Sequence, residues 1–128
     1  MGMDSSSAVL VGDVMSTPLE TVSATETVAA AAARMRDNDI SGLFVPGNPV
    51  GIVTTTDVTA VVAEGRDPEA VAVREVMTAP VERVMTSVEL TEAAAMMANY
   101  GIKHLPVMDD HRDYVGMVST ADLAMELA

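Results

Sequence analysis

The sequence repeats itself, and this internal repeat constrains the possible folds more than any other feature. Val11–Pro18 returns 62 positions later as Val73–Pro80, and 13 of the 35 residue pairs between positions 11 and 45 are identical at that spacing. After a loop that is three residues longer in the second copy, Gly51–Val58 matches Gly116–Leu123 at a spacing of 65. The sequence therefore predicts a head (1–8), a first repeat (9–64), a connector (65–72) and a second repeat (73–128).

Both repeats predict the same order of elements, β-α-β-β-α. A brief extended piece (20–22 or 82–84) precedes a helix, because apolar residues recur at helical spacing in Val28/Ala32/Met35 and Leu90/Ala94/Met97. Ser23–Glu26 and Thr86–Glu89 have the pattern of a capping box at the start of each helix. Two strands and a closing helix follow, at 43–45, 50–53 and 55–63 in the first copy and at 105–108, 114–118 and 120–127 in the second.

These elements predict an α+β (mixed α/β) fold. One unit of about 55 residues buries too little surface to be stable alone, so we expect the two β-α-β-β-α repeats to pack with pseudo-twofold symmetry and to share a core. Equivalent residues would then lie on either side of a central cleft, where ligand sites commonly form.

Charge and composition exclude several classes of protein. The 128 residues include no cysteine, which excludes disulfides, Cys-ligated zinc and a thiol nucleophile. Nineteen acidic residues against seven Lys and Arg give a net charge of −12, which disfavours binding to nucleic acid. Such a surplus is typical of a halophilic, salt-loaded cytoplasm, although an ordinary acidic protein is the alternative. We find no signal peptide and no apolar run of about 20 residues, so a cytoplasmic protein without a membrane segment is expected.

The catalytic and metal-binding motifs that we considered do not hold. His111 lies among aspartates, but the spacing lacks the features of a calcium loop and favours a polar hairpin turn. A triad of Ser119, Asp122 and His104 lacks the nucleophile elbow of hydrolases. No phosphate-binding P-loop is present. We therefore expect no catalytic residue, no metal site and no enzyme activity.

A hydroxyl residue followed three positions later by aspartate occurs near the end of each repeat, as Thr54–Asp57 and as Ser119–Asp122. At a strand end that enters a helix, the hydroxyl lies beside unpaired backbone N–H groups, which favour a phosphate. The aspartate lies one helical turn further, where its oxygens can accept hydrogen bonds from the two hydroxyls of a ribose. The pattern indicates a nucleotide site, with ordinary helix capping as the alternative.

These residues resemble the CBS domain, a repeat that usually occurs in tandem pairs. The resemblance rests on Val14–Pro18, Val76–Pro80 and Gly101–Val107, and on the strand endings 51–57 and 116–122. It implies a regulatory module. Such pairs commonly bind AMP, ADP or ATP in the cleft between the repeats, some bind S-adenosylmethionine, and they often form a homodimeric disc of four repeats.

The resemblance also implies two ligand sites, each combining the early segment of one repeat with the late motifs of the other. The main site would consist of Ser16, Thr17, Pro18, Lys103, His104, Pro106, Ser119, Thr120 and Asp122. The second, weaker site would consist of Ser41, Gly42, Thr54, Thr55, Asp57, Thr78, Ala79 and Pro80.

Lys103 is the only lysine of this acidic chain, and it lies in one of these motifs. Coulomb attraction and hydrogen bonds to a phosphate would explain a cation there, whereas a solvated lysine is the alternative. In the first copy Ser41 and Gly42 replace Lys103 and His104, and Phe44 replaces Pro106. We therefore expect the second site to stay empty or to bind a neutral group such as a nucleoside.

The hypothesis from the sequence is a module that senses AMP, ADP or ATP and signals to an unidentified regulated protein, with no cofactor required. A ligand-free dimerisation scaffold and a module that binds S-adenosylmethionine are the alternatives. A nucleic-acid-binding module is opposed by the net charge of −12.

Overall fold

The computed structural model describes residues 8–127, so Met1–Ser7 of the predicted head lie outside the described residues. The α-helices are α1 (Val11–Val14), α2 (Val28–Asn38), α3 (Thr55–Ala63), α4 (Leu90–Tyr100) and α5 (Thr120–Leu127), and Val73–Glu75 form a short 3-10 helix. The strands are β1 (Gly42–Val45), β2 (Gly51–Thr54), β3 (Val84–Met85), β4 (His104–Met108) and β5 (Tyr114–Ser119). The predicted mixed α/β fold is confirmed.

The chain forms two compact units whose boundaries cut across the sequence repeats. Unit 1 joins the described residues up to Leu19 with those from Glu82 onward, and unit 2 consists of Glu20–Val81. Each unit therefore contains most of one repeat together with the early, proline-ending segment of the other. This exchange matters for the site, because it places residues that are far apart in the sequence in the same unit.

Unit 1 has a three-stranded sheet in the order β3-β4-β5. β4 pairs with β5 in antiparallel register, with His104 opposite Ser119, and with β3 in parallel register, with Val107 opposite Val84. The core side of this sheet carries Val84, Leu105, Val107 and Val118, which cluster with Leu90, Ala93 and Met97 of α4. The apolar face of α4 thus covers one face of the sheet, as amphipathic helices do.

Unit 2 has a two-stranded antiparallel sheet, β1-β2, with Gly42 opposite Thr54. The extended piece before α2 contacts β1 through two backbone hydrogen bonds, from Val22 N–H to the Phe44 carbonyl and from Phe44 N–H to the Glu20 carbonyl, both 3.0 Å. The predicted first strand of copy one is therefore a single bridge. In unit 1 the residue equivalent to Phe44 is Pro106, which has no N–H to form the corresponding bond.

The two predicted long helices are confirmed, but the buried residue in the middle of each lies one position earlier than the predicted pattern. The buried residues of α2 are Val28, Ala31 and Met35, and those of α4 are Leu90, Ala93 and Met97. Ala32 and Ala94 are only half-buried. Spacings of three and four residues both keep side chains on one helix face, so the runs of alanine gave the sequence no means to choose between them.

The predicted capping boxes are also displaced from the helix starts. Thr27 is the N-cap of α2, and its Oγ1 accepts a hydrogen bond of 3.0 Å from Ala30 N–H. Ser23–Glu26 instead closes a turn before the helix, where the Glu26 carboxylate accepts from Ser23 N–H at 2.9 Å. In α4 the N-cap is Glu89, three residues beyond the predicted Thr86.

Candidate functional site

Asp122 accepts hydrogen bonds from Ser119, the last residue of β5, directly before α5 begins. One carboxylate oxygen, Oδ2, accepts from Ser119 N–H at 2.8 Å and from the Ser119 hydroxyl at 3.2 Å, and Asp122 N–H approaches Ser119 Oγ at 3.4 Å. These reciprocal bonds form a capping box, so the capping interpretation describes the geometry. They use only one oxygen of Asp122. Among residues 8–127 no hydrogen bond reaches Oδ1, which leaves an acceptor at the site.

The backbone donors at this helix start are mostly occupied, which corrects the expectation of several unpaired N–H groups. Ser119 N–H and Asp122 N–H take part in the capping box, and Thr120 N–H donates to the Lys103 carbonyl at 3.0 Å. A phosphate at this position would therefore depend on side chains more than on the helix start itself.

The early segment of the first repeat runs along β5 in unit 1. Ser16 N–H donates to the Met117 carbonyl at 2.8 Å, and Met117 N–H donates to the Ser16 carbonyl at 3.2 Å. Gly116 permits this approach, because a Cβ there would lie 2.8 Å from both Met15 Sδ and the Ser16 carbonyl oxygen. Exposed Ser16, Thr17 and Pro18 consequently lie beside the strand whose end is Ser119.

Lys103 and His104 lie at the start of β4, next to that same strand end. His104 is half-buried and directly opposite Ser119 in the β4–β5 register. Lys103 is exposed and forms no ion pair with any carboxylate of residues 8–127. Pro106 is buried in the middle of β4, whereas Thr120 is exposed on the first turn of α5. Unit 1 thus brings the residues of the predicted main site to one edge of its sheet.

Unit 2 repeats this backbone arrangement. Asp57 Oδ2 accepts from Thr54 N–H at 2.8 Å and from the Thr54 hydroxyl at 3.3 Å. Thr55 N–H donates to the Ser41 carbonyl at 3.1 Å, as Thr120 does to Lys103 in unit 1. Gly42, at the start of β1, is buried. The equivalent positions differ in side-chain charge and not in backbone geometry.

The early segment of the second repeat runs along β2 in unit 2. Thr78 and Ile52 exchange two backbone hydrogen bonds of 2.9 and 3.0 Å. A Cβ on Gly51 would lie 2.9 Å from the Thr78 carbonyl oxygen, so glycine is required there too. Exposed Thr78, Ala79 and Pro80 therefore lie beside the strand that ends at Thr54.

Gly51 and Gly116 are positioning residues that the sequence analysis did not single out. Both interrupt an apolar strand pattern, and a glycine within a strand is a known signal of close backbone approach. Each allows a proline-ending segment to cross its strand two or three residues before the capping hydroxyl. That signal was present in the sequence and could have identified them.

Ion pairs among the described residues are confined to unit 2. Arg34 pairs with Glu26, Arg36 with Asp37, and Arg66 with Glu64 and Glu75. In unit 1 neither Arg83 nor Arg112 forms an ion pair within residues 8–127, and Lys103 forms none either. Among residues 8–127, the two arginines and the lysine of unit 1 therefore have no carboxylate within ion-pairing distance.

The Glu26–Arg34 pair also shifts the titration of Glu26. Arg34 Nη1 and Nη2 donate to the two Glu26 oxygens at 3.2 and 3.1 Å, and Nη1 also donates to the Thr21 carbonyl at 2.8 Å. The hydrogen bond from Arg34, followed by that from Ser23 N–H, lowers the pKa of Glu26 below its ordinary value, with a smaller opposing effect of burial. Glu26 and Arg34 thereby connect α2 to the extended piece before it.

Within residues 8–127 no three His, Cys, Asp or Glu side chains are grouped so that they could hold a metal ion. The hairpin at Asp109–Asp113 is organised by Asp109, whose Oδ1 accepts from His111 N–H at 2.9 Å and from Asp113 N–H at 3.0 Å. No helix in this part of the chain is long and apolar enough to cross a membrane.

Comparison with known proteins agrees with this architecture. A protein of Methanopyrus kandleri, described as uncharacterized, is 35% identical over 120 residues, which is 91% of this chain and 61% of that relative. The chain therefore spans less than two thirds of that relative. Among solved structures, the hexameric CBS-CP12 protein from bloom-forming cyanobacteria has a TM-score of 0.87 at 29% identity, covering 94% of this chain and 68% of the other.

A second solved structure is the CBS domain pair of the protein MJ0100 in complex with 5′-methylthioadenosine and S-adenosyl-L-methionine. It has a TM-score of 0.81 at 27% identity, covering 94% of this chain and 96% of the other. The family model of the CBS domain matches two stretches of this chain, residues 11–64 and 73–128. The chain therefore belongs to the CBS domain family, as a tandem pair of CBS domains.

Proposed function

We propose that the chain is a regulatory module that binds an adenine nucleotide (AMP, ADP or ATP) at the site of unit 1 and transmits the occupancy of that site to a partner protein. CBS domain pairs are typically regulatory ligand-binding modules, and this is the class to which the chain belongs. The nucleotide, the site and the signalling are our proposal.

The observation that carries the proposal is the position of Lys103. A chain with a net charge of −12 has a single lysine, and its exposed side chain has no carboxylate partner in residues 8–127. It lies where β4 begins, beside the end of β5, and the other edge of β5 pairs with Ser16 of the exposed Ser16–Pro18 segment. An anion at this edge would gain Coulomb attraction and a charge-assisted hydrogen bond, and a phosphate provides both.

Asp122 supports the nucleoside part of the ligand. Its Oδ2 is committed to the capping box, which fixes the orientation of the carboxylate, while Oδ1 has no hydrogen-bond donor among the described residues. A preorganised carboxylate oxygen is a suitable acceptor for the hydroxyls of a ribose. Cap and ligand contact are thus compatible, because they use different oxygens of one side chain.

Transmission would work through a population shift. A ligand that binds one arrangement of the module more tightly than another shifts the population toward the first, by no more than the difference in binding free energy. The regulated partner would recognise the favoured arrangement. We propose a homodimer as the assembly in which this occurs; one solved relative is a hexamer.

S-adenosylmethionine is the second candidate ligand, and a specific observation favours it. The domain pair of MJ0100, similar in structure at a TM-score of 0.81, was solved with this compound and with 5′-methylthioadenosine. Both share the adenosine group with AMP but have no phosphate. A ligand-free scaffold remains the alternative if neither class of compound binds.

The test is calorimetric titration of the full chain with AMP, ADP, ATP and S-adenosylmethionine at low and high salt. We expect Asp122→Asn to weaken AMP binding by about 10- to 100-fold, the range for losing a hydrogen bond to a charged group. Asp57→Asn is the matched control, since it changes the equivalent capping residue in unit 2 and should leave AMP affinity within about twofold, a negligible free-energy change.

Two results would contradict the proposal. Absence of binding by every adenine nucleotide at millimolar concentration would exclude the proposed ligand, and absence of S-adenosylmethionine binding as well would favour the scaffold. Equal loss of AMP affinity in both aspartate variants would mean that unit 1 is not the preferred phosphate site. Thermal denaturation of both variants separates a binding defect from weakened capping, which should cost each of them about 0.5–1.5 kcal/mol, since the amide oxygen of asparagine still accepts a hydrogen bond but carries no charge.

A further inference from the structure

The two units carry opposite charges at the edge where their sheets begin. Lys103 in unit 1 is replaced by Ser41 in unit 2, and Gly101, two residues earlier, is replaced by Asp39. Asp39 and Gly101 occupy the same structural position, the left-handed C-cap of α2 and of α4, with φ angles of 53° and 65°. The difference therefore lies in the side chains on a shared backbone.

The edge of unit 1 carries a second cation. Val84 pairs with Val107, and both belong to the core of unit 1. Arg83 directly precedes β3, level with Pro106 of β4, and the alternation of side chains predicts that it lies on the opposite face of the sheet, which is also the face of His104 and Ser119. Arg83 is exposed and, like Lys103, has no ion pair among residues 8–127.

The equivalent position of unit 2 carries no cation. The residue equivalent to Arg83 is Thr21, opposite Phe44 of β1. A guanidinium does lie near Thr21, that of Arg34, but both of its terminal nitrogens bind Glu26, so the pair is neutral overall. Asp39 is exposed, and among the described residues no cation pairs with it.

We propose that this reversal of charge sorts the ligands, with unit 2 accepting a nucleoside that carries no phosphate and Asp39 excluding the phosphorylated form. The proposal rests on nucleotide binding by unit 1 and deepens it by assigning a ligand class to each unit. A phosphate at the start of β1 would lie near the carboxylates of Asp39 and Asp57, neither of which forms an ion pair among residues 8–127. A nucleoside could still use Asp57, whose Oδ1 has no hydrogen-bond donor within residues 8–127.

The experiment transfers the edge of unit 1 to unit 2 in the full chain. The variant Asp39→Gly/Ser41→Lys installs the two residues of unit 1, and glycine suits the left-handed C-cap, so folding should be retained. Calorimetric titration of the wild type should show one AMP site per chain and two adenosine sites. The variant should gain a second AMP site through an increase in affinity of about tenfold or more, the size expected for reversing charges at hydrogen-bonding range.

Three controls make the result specific. Adding Asp57→Asn to the double variant should remove the second AMP site, which assigns that site to unit 2. Raising the salt concentration should weaken AMP binding at the new site but leave adenosine binding unchanged. Glu69→Gln removes one negative charge from unit 2 near the start of α2, since Ala29 N–H donates to the Pro68 carbonyl, and should add no AMP site.

The outcomes separate this inference from the proposed function. If AMP binds the wild type in both units with equal affinity, or if the double variant gains no AMP site while unit 1 still binds, charge sorting is wrong and the proposed function stands. If Glu69→Gln also creates a second AMP site, net charge and not Asp39 is responsible, and the inference is overturned. If neither AMP nor adenosine binds the wild type, both proposals fall.

Discussion

Units 1 and 2 share a backbone plan at the candidate site and differ in the charges placed on it. In each unit a glycine lets a proline-ending segment cross the last strand, and an aspartate caps the helix that follows. Lys103 and Arg83 make the sheet edge of unit 1 basic, whereas Asp39 and Ser41 make that of unit 2 acidic or neutral. The two candidate sites therefore differ in a few side chains and not in their backbone, and we propose that these side chains select the ligand.

The units also differ in the contact that joins their long helix, α2 or α4, to the segment before it. In unit 2, Arg34 joins α2 to Glu26 and to the Thr21 carbonyl. The equivalent residues in unit 1 are Met96 and Val88, which pack against its core cluster. A polar contact in one unit is thus replaced by an apolar one in the other. Only the polar version can depend on pH.

The cores should respond alike to the same change, and this gives the largest expected effect. Leu43 and Leu105 occupy equivalent positions and are both fully buried. Leu43→Ala and Leu105→Ala should each lower the free energy of unfolding by about 2–5 kcal/mol, through lost apolar burial and a residual cavity. Urea denaturation followed by circular dichroism measures this. A loss below about 1 kcal/mol in either variant would mean that the two cores are not equivalently packed.

The crossing glycines should show the next largest effect. Gly116→Ala places a methyl group 2.8 Å from a backbone oxygen and a methionine sulfur, and Gly51→Ala places one 2.9 Å from a backbone oxygen. Each should cost about 1–3 kcal/mol, as overpacking does. Gly116→Ala should also weaken AMP binding, because it displaces the Ser16 segment, whereas Gly51→Ala should not. Equal weakening by both glycine variants would argue against unit 1 as the AMP site.

Much of the fold followed from the repeat, because two copies with the same pattern support each other's elements. Strand and helix bounds were predicted to within a few residues, and the family resemblance is confirmed. The buried position in the middle of each long helix was not predicted, since alanine occupies positions 29–33 in the first copy and 93–95 in the second and does not distinguish the buried one. The pairing of Ser16 with Met117 and of Ile52 with Thr78 is long-range, and it was expected only from the resemblance.

The candidate site was less predictable than the fold. The residue types of the capping motif were identified, but the sequence could not reveal that the cap itself uses most of the backbone donors. Asp39 was overlooked because an aspartate after a helix is an ordinary sequence feature. Its position became informative only when it was compared with Gly101 in the same left-handed conformation. Whether the site residues bind a ligand stays a prediction that the titrations address.

The smallest effect concerns pH and separates the polar helix contact of unit 2 from its apolar counterpart. The pKa of Glu26 is lowered in the folded state, mainly by the hydrogen bond from Arg34. The ionised carboxylate therefore stabilises the fold at pH values above its ordinary pKa of 4.5, and this contribution is lost as the pH falls through the lowered pKa. Arg34→Met, which installs the residue type of unit 1, should therefore cost about 0.5–1 kcal/mol at pH 7, the range for a partly exposed ion pair. The cost should shrink as the pH falls from about 5 into the strongly acidic range, because Glu26 becomes protonated there. Only the contribution of the hydrogen bond to the Thr21 carbonyl should then be left.

Arg36→Met is the matched control on the same helix, because its pair with Asp37 is 77% and 63% exposed and should contribute nothing measurable. Thermal denaturation across this pH range gives the comparison, and a cost of Arg34→Met that does not change with pH would assign the effect to packing of the side-chain stem and not to Glu26.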